Sequence, residues 1–167
     1  MLLLLLGQLS ACGFHLRGQV KVPEELKLVY LTGSAEFSPL TLEVKKVLLR
    51  AGVQVIPSAA EAESVIAISN EQSKKVVVAL DSQGRVAEYE LFYSYYFTVT
   101  KREGEVIVPL QKIEQSRSFK FDPNNVLAKE SEEVSIRKQM LSFAVRQMMQ
   151  RIEAYTKSAK PVAGPTS

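Results

Sequence analysis

Cys12 and His15 are the only cysteine and the only histidine in 167 residues. A lone cysteine closes no internal disulfide, and the two together cannot supply the three or four nitrogen and sulfur ligands of a structural zinc site. A Cys–His nucleophile and base would use up both, three residues apart, and no second pair exists. The chain also lacks a Gly-x-Ser-x-Gly elbow and a Gly-x-x-x-x-Gly-Lys-Ser/Thr phosphate loop. Glu88 and Glu90 share one face if their segment is extended, so they could in principle do acid and base work. Carboxylates at such spacing are usually solvated surface. The inventory therefore assigns no catalytic residue and no metal ligand, and the chain reads as a non-enzyme. The 21 Lys and Arg are interleaved with 18 Asp and Glu for a net charge of +3, which leaves no clustered basic face for nucleic acid.

The position of the cysteine is more informative than its number. The chain opens on an apolar run, residues 2–6, and reaches Leu9-Ser10-Ala11-Cys12. The run is too short to span a bilayer as a helix, which takes about 20 residues. Small residues before a cysteine match the lipobox at which a signal peptidase cuts and a thiol receives a diacylglyceryl group. The expectation is a cleaved signal peptide at 1–11, a lipidated N-terminal segment at 12–19 beginning with Cys12, and no cofactor beyond the covalent diacylglyceryl and N-acyl lipid on Cys12. Several acyl chains on one residue give a stable anchor where a single chain, at about 0.8 kcal/mol per buried methylene, gives a marginal one. The bland alternative is that residues 2–6 begin a core element and Cys12 is a small buried side chain. Gly13 stands where an aspartate would signal inner-membrane retention, so the expected destination is the outer membrane.

The elements that would carry any site follow from periodicity. Residues 26–31 read as a strand after Pro23, broken at Thr32-Gly33-Ser34. Ser38 suits a helix N-cap, Pro39 the first helical position and Gly52 the residue past the C-cap. Between them Leu40, Val44, Val47, Leu48 and Ala51 repeat at helical spacing. Residues 53–56 could extend briefly before Pro57. Segments 65–80, 86–101 and 106–121, joined by turns at 81–84 and 102–105, form a meander of two hairpins. In the middle strand Ala87, Tyr89, Leu91, Tyr93, Tyr95, Phe97 and Val99 alternate onto a core face; Glu88, Glu90, Ser94, Thr98 and Thr100, with Phe92 and Tyr96, lie on a wet one. A last helix starts between Val126 and Ser131 and runs to about Lys157, with an apolar stripe of Val134, Leu141, Val145, Met148, Ile152 and Tyr155. The predicted fold is α+β, a two-layer sandwich of order β-α-β-β-β-α with two helices packed on a mixed sheet of about four strands. One domain at 20–157 precedes a Pro/Gly-rich tail at 158–167 expected to be disordered. Lys74, Lys75, Arg85 and Lys129 could present charge to an anionic ligand, or form a solvated rim.

The segment Cys12-Gly13-Phe14-His15-Leu16-Arg17, directly after the lipobox, resembles the N-terminus of the LptE family, the lipopolysaccharide-assembly lipoproteins also called rare lipoprotein B. Ala87-Glu88-Tyr89, Arg117-Ser118-Phe119, Phe121-Asp122 and Leu127-Ala128-Lys129 agree with the family in order. The resemblance implies a lipid-anchored outer-membrane protein whose domain sits on the periplasmic side and within the LptD β-barrel. It would plug that barrel, assist its assembly and contact lipopolysaccharide on its way to the outer leaflet. It also implies two lipopolysaccharide-binding cations. One carries over to Lys129. The other falls at Ser82, where the family has arginine, and Arg85 in the same turn is expected to take its place. Two other classes remain open at this point: a lipid-anchored scaffold or accessory subunit of an inner-membrane transporter without lipopolysaccharide binding, and a small hydrolase with an unrecognised site.

Overall fold

The computed structural model describes residues 26–158; Cys12, His15, the expected signal peptide and most of the expected tail lie outside them. Strand β1 spans Leu28–Thr32, helix α1 Pro39–Arg50, β2 Gln54–Ile56, β3 Ser64–Leu80, β4 Val86–Lys101, β5 Val106–Lys120 and helix α2 Val126–Ser158. The sheet order is β2-β1-β3-β4-β5. β1 runs parallel to both β2 and β3, and the two hairpins are antiparallel. The sheet is thus mixed, as expected, but among the described residues it has five strands and not about four. The extra strand is the brief 53–56 segment. The Gln54 amide donates to the Lys27 carbonyl at 2.8 Å, and Pro57, without an N–H, ends the pairing after three residues.

Helix α1 begins where its capping residues dictate. Ser38 Oγ accepts from the Thr41 amide at 3.1 Å, Pro39 fills the first position, and Gly52 closes the end at φ 82°. Its buried residues Leu40, Val44 and Leu48 join the alternating face of β4, where Leu91, Tyr95, Phe97 and Val99 are fully buried. Helix α2 lies on the same face and touches α1 through Ser142 Oγ, which donates to Glu43 Oε1 at 3.1 Å.

The buried row of α2 is Met140, Ala144, Val145, Met148, Met149, Ile152 and Thr156. The expected stripe is right for Val145, Met148 and Ile152. Leu141 and Tyr155 are only partly buried, and Val134 is exposed. Before Met140 polar contacts replace apolar ones: Arg137 donates to Ser73 Oγ at 2.6 Å, and Lys75 pairs with Glu133 at 2.6 Å. Further on, Arg151 donates to the Lys112 carbonyl at 2.7 Å and Gln115 to Gln147 at 3.0 Å. The helix therefore crosses the sheet from β3 at its N-terminal half to β5 at its C-terminal half. No described helix covers the opposite face, where Phe92, Ser94, Tyr96 and Thr98 stay partly accessible.

Candidate functional site

The register of the hairpins brings three chain segments to one end of the molecule. The Phe121 amide donates to the Ala87 carbonyl at 2.8 Å, which sets the 122–125 turn and the start of α2 beside the β3–β4 tip. Arg85 sits in that tip and Lys129 in the first turn of α2.

Asp81 builds the tip. Its Oδ1 accepts the amides of Gln83 and Arg85, each at 2.9 Å, and its Oδ2 accepts from Arg85 Nε at 2.8 Å. The backbone closes with Gly84, at φ 74°, donating to the Asp81 carbonyl at 3.0 Å. The Arg85 amide, then its guanidinium, hold the Asp81 carboxyl below the ordinary aspartate range. Arg85 is thereby oriented, with half of its side chain accessible. Ser82 lies exposed in the same turn.

Lys129 is positioned by the helix start. Asp122 accepts the amides of Asn124 and Asn125, and the Lys129 amide donates to the Asn125 carbonyl at 3.1 Å. Its Nζ pairs with Glu132 at 2.8 Å. Arg85 and Lys129 share one end of the molecule, each with its own carboxylate partner. The same segments carry exposed apolar side chains: Leu80, 60% accessible, ends β3, and Val126 and Leu127, 42% and 81% accessible, open α2. This apolar component was not read from sequence, because Leu80 looked like a strand end and the expected stripe of the last helix began only at Val134.

The two lysines of β3 have different fates. Adjacent strand residues point to opposite faces, so Lys75 turns toward α2 and Lys74 away from it. Lys75 sits 4.2 Å from the Tyr89 ring centroid and 5.8 Å from that of Phe119, and pairs with Glu133. Glu133 also accepts from Arg137 at 2.7 and 2.9 Å. Burial pushes the Glu133 pKa up, but the hydrogen bonds from Lys75 and Arg137 outweigh it and hold the carboxyl below its ordinary range. The Glu133–Arg137 spacing of four on a helix was the available signal for this cluster. A carboxylate with a depressed value stabilises the fold above its unfolded titration, near pH 4.5, and that contribution is lost as pH falls through the folded value. Glu133→Gln is expected to lower stability by about 1 kcal/mol at pH 7 and to match the parent protein at acid pH, as read by urea denaturation across pH 3–7.

Glu88 and Glu90 lie on the uncovered face, with Glu88 opposite Lys120 and Glu90 opposite Ser118 in the β4–β5 register. Among the described residues no three of His, Cys, Asp and Glu are arranged to hold a metal. No described helix is long and apolar enough to cross a membrane.

A family model described as LptE, lipopolysaccharide-assembly, matches residues 26–152. The LPS-assembly lipoprotein LptE of Photorhabdus laumondii is 30% identical over 143 residues, covering 86% of this chain and 78% of that protein. Its namesake from Pectobacterium atrosepticum is 30% identical over 145 residues, covering 86% and 77%. Among solved structures, an uncharacterized lipoprotein B from Nitrosomonas europaea superposes with a TM-score of 0.73 at 29% identity, over 87% of this chain and 94% of that one. Rare lipoprotein B from Shewanella oneidensis gives a TM-score of 0.68 at 27% identity, over 78% and 97%.

Proposed function

The chain belongs to the LptE family of lipopolysaccharide-assembly lipoproteins, a non-enzymatic family, and from that membership we propose that it plugs the LptD β-barrel of the outer membrane, assists its assembly and binds lipopolysaccharide during export. The observation that carries the lipid reading is the composition of one end of the molecule. Two oriented cations, Arg85 and Lys129, stand beside the exposed Leu80, Val126 and Leu127. A phosphorylated lipid offers both complements, anionic groups for charge-assisted hydrogen bonds and acyl chains for the apolar side chains. The uncovered sheet face supports the plug. A barrel lumen is polar and hydrated, and this face meets it with Glu88, Glu90, Ser94, Thr98 and Thr100 around Phe92 and Tyr96. In this reading Cys12 is the acylated mature N-terminus that tethers the domain to the outer membrane.

The test is lipopolysaccharide binding by Arg85→Asp, Lys129→Asp and the double variant. Both positions are surface ion pairs, so folding and co-purification with the barrel should persist. Binding should weaken by about tenfold in each single variant, the scale of one lost charge-assisted contact, and by more in the double variant. Parental affinity in all three variants would remove the lipid site from the proposal.

A further inference from the structure

Strand β3 is paired on both sides for only its first part. β1 accompanies it from Ser64 to Ala67, and Gly33 then closes against it, so tightly that a Cβ there would stand 2.0 Å from the Ile68 carbonyl oxygen. At Asn70 the backbone turns left-handed, φ 51°, and the β3–β4 register shifts between Ser69 and Gln72. From there the ladder is regular again, with Gln72 opposite Ser94 and Val77 opposite Tyr89. No described strand pairs with the other side of this run. In an antiparallel ladder every second residue directs its N–H and C=O away from the partner strand. Residues 72–77 therefore present a straight, open row of backbone donors and acceptors, and their side chains, Val76 and Val77 at 45% accessible among them, are exposed.

The two outer edges of the sheet are treated differently. β2 is three residues long and stops at Pro57. β5 carries Pro109, which has no N–H, and a row of charges from Lys112, which pairs with Glu114, to Arg117 and Lys120. Short strands, prolines and charges are the devices that keep sheet edges from pairing. The 72–77 edge has no proline, and its two charges have different duties. Lys75 is engaged with Glu133, whereas Lys74, on the opposite face, forms no ion pair with any described residue.

We propose that the 72–77 edge of β3 accepts an extended segment of a second polypeptide as an added strand, with a carboxylate on that segment meeting Lys74. A second copy of this chain fits less well. Two-fold antiparallel pairing of the run with itself sets Lys74 of one copy opposite Lys75 of the other, twice, and like charges directly opposite destabilise a strand pair. The occupant is thus a partner strand with a carboxylate and apolar side chains for Val76 and Val77. This inference does not depend on lipid binding, since it uses neither Arg85 nor Lys129.

The test is amide hydrogen exchange on the full chain with a synthetic eight-residue peptide of alternating valine and threonine bearing one central glutamate. Alternate amides within 72–77 should slow by about tenfold at saturating peptide, with the β5 edge unchanged. Lys74→Glu, an exposed substitution that should leave folding intact, should weaken the acidic peptide by about fivefold and favour a peptide with lysine at the central position. Three results overturn the proposal: no alternating protection at millimolar peptide, equal protection by the acidic and basic peptides, or protection of the same amides by the chain alone together with dimerisation in sedimentation.

Discussion

Gly33→Ala is expected to destabilise the domain by on the order of 3–5 kcal/mol, read as a drop in urea midpoint with little change in slope. Two independent costs combine there. Gly33 has φ 88°, a region that penalises any residue with a Cβ by roughly 1–2 kcal/mol. The added methyl would also stand 2.0 Å from the Ile68 carbonyl oxygen and 3.0 Å from its carbon. Those atoms are backbone of a central strand, so relief requires β1 and β3 to separate near Ala67, where their pairing ends. Gly52→Ala and Gly104→Ala provide the control. Each has positive φ, 82° and 93°, but an added Cβ meets nothing within 4 Å, so each should cost only the conformational part, about 1 kcal/mol. Equal losses at all three positions would mean that the close approach at Ile68 contributes nothing.

Gly33 also marks the limit of what the sequence discloses. Thr32-Gly33-Ser34 reads as a break between strand and helix because glycine and serine interrupt an apolar run, and that is a local property. The pressure of Ile68 on Gly33 is not local, and no pattern in the chain announces it. The same division runs through the rest of the molecule. The alternation in β4 and the Ser38-Pro39 cap are short-range and legible, and both appear in the structure at those residues. The fifth strand was visible only as a brief extended segment at 53–56, since its pairing with β1 depends on a crossover through α1. In α2 the heptad spacing pointed to Leu141, but the sheet meets the helix one position earlier, at Met140 and Ala144. Arg85 and Lys129 could be named from sequence, yet their common location rests on the β4–β5 register and the Phe121–Ala87 hydrogen bond.

The attachment of α2 to the sheet yields the second large effect. Tyr95 is fully buried in β4, and its hydroxyl donates to the Ala144 carbonyl at 3.1 Å. Burial pushes the phenol far above its ordinary range, so the hydroxyl keeps its proton, and the hydrogen bond, through all physiological pH. Tyr95→Ala removes both the ring that fills the space beneath α2 and the bond to it, and should cost about 3–5 kcal/mol. Tyr95→Phe keeps the ring and should cost about 1 kcal/mol, the net worth of one hydrogen bond. The difference between the variants measures how much of the joint is packing. It also bears on function, because Ala144 lies one side of the Met140 boundary and Lys129 the other. Fifteen residues of helix, about 22 Å, separate them. The N-terminal half of α2 is fixed to the sheet by polar contacts from Glu133 and Arg137, while the apolar packing lies beyond it. A small tilt at Ala144 is therefore amplified at Lys129. Tyr95→Phe should retain lipopolysaccharide binding, and Tyr95→Ala should lose it at temperatures where circular dichroism still reports a folded sheet. Binding that survives in every folded sample of Tyr95→Ala would show that the position of Lys129 is set by its own end of the helix, through Asp122 and Asn125, and not by the joint at Tyr95.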